Sequence, residues 1–184
     1  MADHNQDNVT VIPPTHPHHG LNVISFGCRL NYFESEVIKN LAMAPDADTP
    51  NIIVINSCAV TSEAERQVRQ TIRKTRRQHP DAKIIVTGCA AQINPQKYAD
   101  MPEIDRVIGN SEKFLPESYQ NWQINAGDGA TPSALPPSPR QIVADIMQVR
   151  ETTPHLIDGF DGRARAFIEV QQGCDHRCSF CIIP

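Results

Sequence analysis

NIIVINSCAVTSEAERQVRQTIRKTRRQHPDAKIIVTGC, residues 51–89, decides the fold. Its two ends, NIIVINS (51–57) and KIIVTG (83–88), are short runs dominated by Ile and Val with no polar residue at alternate positions. A strand covered on one face alternates apolar and polar residues, whereas a strand covered on both faces reads as a continuous apolar run. Between them, TSEAERQVRQTIRKTRRQH (61–79) opens with Thr61 or Ser62 as a helix cap and sets Ala64, Val68 and Ile72 four residues apart on one face. Strand, helix, strand in that order predicts two parallel strands joined by a crossover helix.

The same alternation extends both ways. NVISFG (22–27) is a strand candidate, and NYFESEVIKNLAM after it places Phe33, Val37 and Leu41 along one helical face. Downstream come a short helix near 95–100, a short strand DRVIG (105–109) and a helix from Ser111 to about Tyr119. The expected fold class is therefore α/β, with a mostly parallel sheet of about four strands flanked by helices. This domain is expected over residues 21–120.

The flanks differ in composition. Residues 1–20 are polar and proline-rich, and despite His16, His18 and His19 they read as a disordered tail. NAGDGATPSALPPSPR (125–140) has no capacity to form a core, so 121–140 reads as a flexible linker. Beyond it, QIVADIMQVRETT is expected to form a short strand or docking segment leading into a second domain that starts at 141.

With 184 residues, 40% of them hydrophobic, the chain can build one ordinary domain of roughly 100–150 residues but not two. A net charge of -4 and a pI near 5.9 exclude a general attraction to nucleic acid or to anionic membranes. No apolar run approaches the roughly 18 residues a membrane span requires. The N-terminus lacks the basic and apolar regions of a secretory signal, which predicts a cytoplasmic protein. In that reducing compartment the six cysteines are expected to bind metal rather than pair as disulfides.

Three of those cysteines follow strands directly: SFGC, INSC and VTGC end at Cys28, Cys58 and Cys89, which lie 30 and 31 residues apart. One strand–helix unit takes about 30 residues, so all three thiols are expected at the same carboxyl edge of the sheet. Ligands bind at that edge in open α/β sheets. Gly27 and Gly88 would let a bulky inorganic group approach the backbone.

The remaining three lie in GCDHRCSFCIIP (173–184), where Cys174, Cys178 and Cys181 form a C-x3-C-x2-C loop delivered by a strand candidate, RAFIEVQQG (165–173). Three thiolates suit a 4Fe-4S cluster with one open iron. His176 could complete a tetrahedral zinc site instead.

CDHRCSFC, with the aromatic Phe180 before its last cysteine, resembles the radical S-adenosylmethionine signature. Together with FGCRLNYFESE, INSCAVTSEAERQVRQTIRK and TGCAAQ, it makes the chain resemble the radical S-adenosylmethionine methylthiotransferases over residues 21–119 and 141–184. Within that family the wording resembles the enzymes acting on N6-threonylcarbamoyladenosine at tRNA position 37 more than those acting on isopentenyladenosine or a ribosomal protein. The resemblance implies two 4Fe-4S clusters: an auxiliary one on Cys28, Cys58 and Cys89, and a radical one on Cys174, Cys178 and Cys181. It also implies S-adenosylmethionine with Phe180 near its adenine, the anticodon loop of tRNA as substrate, an electron donor and a monomeric enzyme. No side-chain acid or base is implied, because the cofactors carry the reaction. Residues 141–184 would then be the first strand and cluster loop of a truncated β/α barrel, and the chain an N-terminal fragment, inactive by itself.

Other readings remain. Arg66, Arg69, Arg73, Lys74, Arg76 and Arg77 on one predicted helix could track tRNA phosphates or simply form a solvated face. A non-catalytic cluster-binding or zinc-binding module is the alternative to an enzyme.

Overall fold

The computed structural model describes residues 9–11, 21–41, 51–119, 140–148, 169–171, 173, 174, 176 and 178–181. Its centre is a six-stranded sheet in the order of the chain. These strands are β1 (Val9–Val11), β2 (Leu21–Phe26), β3 (Ile52–Ser57), β4 (Lys83–Gly88), β5 (Arg106–Ile108) and β6 (Gln141–Ile142). From β2 to β6 every neighbouring pair is parallel, and β1 is an antiparallel edge.

The continuous apolar runs behave as their composition predicts. All six residues of β3 are buried, and alternate residues serve opposite faces. Ile55, Ile84 and Val86 pack with Val68, Ile72 and Tyr98 on one side, while Val54, Ile52 and Ile85 pack with Ile38 and Tyr119 on the other. The helices α1 (Arg29–Leu41), α2 (Ser62–Gln78) and α4 (Pro95–Ala99) supply those partners, except Tyr119, which comes from a 3-10 turn, Pro116–Tyr119. A short α3 (Cys89–Ile93) starts directly from β4.

Local chemistry sets the helix ends. Thr61 caps α2, its hydroxyl accepting from the Ala64 N–H at 3.1 Å. Glu63 and Glu65 stand in its first turn and Arg76 and Arg77 in its last, each matching the helix dipole. Asn94 caps α4 in the same way, with Pro95 as the first helical residue.

Four features depart from the sequence reading, one being that residues 169–171, the described core of the strand expected over 165–173, are not in a strand. Val9–Val11, inside the stretch expected to be disordered, pairs with Ile24–Phe26. The sheet is also wider than four strands, because Gln141 and Ile142 pair with Val107 and Ile108 of β5. Arg140 locks that addition by donating to the carbonyls of Met101 and Ile104 at 2.5 and 2.8 Å. The helix expected over 111–119 is two 3-10 turns, Glu112–Phe114 and Pro116–Tyr119. Leu115, held extended (φ -96°, ψ 120°) before Pro116, separates them, since a residue preceding proline is pushed out of the helical region. The histidines of the tail, the 121–139 part of the linker and residues 165–168 lie outside the described residues.

Candidate metal centre at the carboxyl edge of the sheet

Parallel register determines where the first cysteine set stands. Ser25 pairs with Asn56, Asn56 with Thr87, and Ser57 with Gly88. Cys58 and Cys89 therefore leave adjacent strands at one level, and Cys28 leaves β2 two residues beyond Phe26. Cys58 is buried, Cys89 partly buried and Cys28 exposed.

The turns that present them need glycine. Gly27 and Gly88 have φ of 95° and 91°, a region where L side chains are strained. A Cβ on Gly27 would fall on the Cys58 side chain. One on Gly88 would fall on the Ser57 carbonyl and the Asn56 side chain, and within 2.6 Å of the Ser57 amide.

A polar network beneath the thiols ties the three strand ends to one another. Asn31, on the first turn of α1, donates through Nδ2 to the carbonyls of Phe26 (2.8 Å) and Ser57 (3.0 Å), joining β2 to β3. Its Oδ1 faces the Cys28 thiol at 3.8 Å. Ser57 donates to the Thr87 carbonyl at 2.5 Å and accepts from the Ala91 amide at 3.2 Å, joining β3 to β4 and α3. Asn56 Nδ2 reaches the Asn31 carbonyl, Ser35 Oγ and Glu34 Oε2, while its Oδ1 is buried without a partner. Glu34 closes the network with a 2.7 Å ion pair to Lys113, whose side chain is only 1% exposed.

Burial pushes the Cys89 thiol up to about 11; Lys113 opposes that shift, and Glu34, Cys58 and Cys28 add to it. Among the described residues, no three His, Cys, Asp or Glu side chains are close enough to hold a single metal ion. The three thiols stand directly after adjacent parallel strands, two of them behind a positive-φ glycine, and soft sulfur donors are of the type that iron–sulfur clusters take. The sequence pointed to these cysteines but not to Asn31, Glu34, Asn56 or Lys113, because a buried polar side chain leaves no periodic signal.

The second set is different in kind. In the loop, Cys178 and Cys181 are exposed and Cys174 partly buried. The Cys181 amide donates to the Cys178 carbonyl at 3.0 Å, a turn that brings those two residues together. Phe180 is 91% exposed, and His176 is exposed as well.

The basic helix is largely neutralised. Arg66, Arg69, Arg73 and Arg76 pair with Glu63, Glu65, Glu103 and Asp105. Arg76 also donates to the carbonyls of Pro80, Ala82 and Glu103, which makes it a clamp on the β4 and β5 entries. The geometry favours a structural, solvated face over a phosphate track.

Residues 21–109 match the family described as "Uncharacterized protein family UPF0004". Over those residues the chain carries the N-terminal domain that it shares with methylthiotransferases. It is 50% identical to the threonylcarbamoyladenosine tRNA methylthiotransferase MtaB of Rickettsia prowazekii (strain Madrid E), over 88% of this chain and 34% of that protein. The proteins of the same name from Aquifex aeolicus (strain VF5) and Bacillus subtilis (strain 168) are each 32% identical, over 87% of this chain and 38% and 35% of theirs. The chain thus spans about one third of the length of these relatives. No solved structure matches it.

Proposed function

We propose that this chain is the N-terminal part of an enzyme that converts N6-threonylcarbamoyladenosine at tRNA position 37 to its 2-methylthio derivative. The observation that supports the reading is the placement of Cys28, Cys58 and Cys89 directly after three adjacent parallel strands, in a chain half identical over the matched residues to a relative named for that substrate.

In this reading Cys28, Cys58 and Cys89 hold the auxiliary 4Fe-4S cluster, and Cys174, Cys178 and Cys181 hold the radical one. Together with S-adenosylmethionine, the bound clusters supply hydrogen abstraction from the adenine and the sulfur that replaces it. The protein's own part is positional. Gly27 and Gly88 let the strand ends turn without a side chain in the way. Asn31 and Ser57 hold the strand ends in register beneath the thiols. Phe180, exposed beside Cys181, offers a ring for the cofactor's adenine. Because binding metal requires thiolates, loading displaces a proton that burial otherwise holds firmly on Cys89.

Anaerobic reconstitution with ferrous iron and sulfide tests the site assignment. The parent chain should bind about eight irons, and replacing either cysteine trio with alanine should leave about four. Loss of Cys28, Cys58 and Cys89 with no loss of iron would overturn the assignment. In a whole enzyme carrying this N-terminal third, the same triple replacement should leave S-adenosylmethionine cleavage intact. Mass spectrometry of tRNA should then find no methylthiolated nucleoside.

A further inference from the structure

The three strand ends that carry Cys28, Cys58 and Cys89 are held unequally. β3 and β4 are interior strands, and their last residues, Ser57 and Gly88, pair with each other. β2 pairs with β3 from Leu21 to Ser25. Its last residue, Phe26, stands two positions before Cys28 and pairs with Val9 of β1. We infer that β1 is a strap that positions Cys28: Val9–Val11 holds the carboxyl end of β2 in the sheet, and with it the first thiol of the trio. The consequence for bound metal rests on the auxiliary-cluster reading of Cys28, Cys58 and Cys89; the strap itself does not.

The coverage is selective. Val9, Thr10 and Val11 pair with Phe26, Ser25 and Ile24, the half of β2 nearest the carboxyl edge, and among the described residues nothing pairs with Leu21, Asn22 and Val23 on that side. Asn31 grips the same strand end from the side of β3, donating through Nδ2 to the carbonyls of Phe26 and Ser57. Phe26 is 1% exposed and lies in the core with Ile55 and Cys58. The end of β2 is thus clasped between the first turn of α1 and β1, while Cys28, just beyond the clasp, is exposed.

A three-residue edge strand is the weakest part of such a sheet, because few hydrogen bonds and few buried contacts hold it. Its detachment removes the outer partner of Phe26 and leaves the pairing of Ser57 with Gly88 untouched. Opening at β1 therefore acts on Cys28 and spares Cys58 and Cys89.

Two variants of the whole chain test this. One lacks residues 1–12. The other is Val9→Pro/Thr10→Pro: adjacent strand residues direct their N–H groups to opposite sides, so the two prolines remove a ladder donor whichever residue faces β2. Nitrogen-15 relaxation of the metal-free chains reads the strap. The order parameter of the Cys28 amide should fall below about 0.6, the flexible range, while those of Cys58 and Cys89 stay near about 0.85. An unchanged Cys28 overturns the inference. So does equal loss at all three cysteines, or unfolding of both variants, because β1 would then support the whole sheet rather than one strand end.

The effect on the site is read in chains that also carry alanine at Cys174, Cys178 and Cys181, loaded anaerobically with iron and sulfide. Each strap variant should release iron to a ferrous chelator about ten times faster than its parent, as release through a local opening predicts. Equal rates overturn the effect on the site. A parent that binds no iron overturns the cluster reading, and the relaxation measurement still decides the strap.

Discussion

The two cysteine trios of this chain are chemically alike and structurally opposite. Cys174, Cys178 and Cys181 lie within eight residues of one another in a loop whose Gly173 has nothing within 4 Å of where a Cβ would stand. Cys28, Cys58 and Cys89 are about 30 residues apart, and buried polar side chains bind their strand ends to each other. A local trio needs only the chain to bring its thiols close, whereas a distributed trio exists only while the sheet does. The closeness of the first set does not depend on the fold, whereas any metal held by the second would require the folded domain.

Glycine substitutions separate the two regimes most sharply. Gly88→Ala places a Cβ among fixed backbone atoms of β3 at a φ that alanine resists, and should cost about 4–5 kcal/mol in chemical denaturation. Gly173→Ala also meets a positive φ, 71°, but in open space. It should cost the domain less than about 0.5 kcal/mol, as surface changes do. Equal costs would show that the edge of the sheet is not the rigid partner described.

The buried pair comes next in size. Lys113→Met strands Glu34 and should destabilise the metal-free domain by about 3–4 kcal/mol, most of it recovered by adding Glu34→Gln. Thermal or urea melts of the three variants check this, and an undiminished single variant would mean that the pair is not buried in solution.

A smaller effect concerns the apolar side of the sheet. Tyr98 is buried with its hydroxyl unpartnered, so Tyr98→Phe should raise stability by about 1 kcal/mol. Burial pushes this phenol up to about 12 from an ordinary value of 10, and Tyr119 moves in the same direction. The folded state therefore holds these protons more tightly than the unfolded chain does. Their contribution is complete below about pH 10 and is lost as pH rises toward 12, and Tyr98→Phe should flatten that alkaline decline. Stability curves between pH 8 and 12 provide the measurement.

By itself the sequence determined the α/β class, the strand–helix order and the two cysteine sets. Each rests on short-range information: apolar periodicity, caps and fixed spacings. It offered Thr61 or Ser62 as the cap of α2, of which Thr61 is the one that caps, and it set Ala64, Val68 and Ile72 on one face, of which Val68 and Ile72 are buried. Residues 111–119 were misread because Pro116 acts on Leu115 through local sterics that apolar spacing ignores. The sequence allowed a short strand or docking segment from 141, leading into a second domain, but only tertiary structure could join it to this sheet, since its pairing with β5 spans more than 30 residues. The same holds for Asn31, Glu34, Asn56 and Lys113. A polar side chain reads as solvent-facing in sequence, and becomes a structural element only where distant partners satisfy it. The arginines of α2 teach the converse: six basic residues on one helix look like an open positive face until the carboxylates of Glu103 and Asp105, brought by a different part of the chain, occupy two of them.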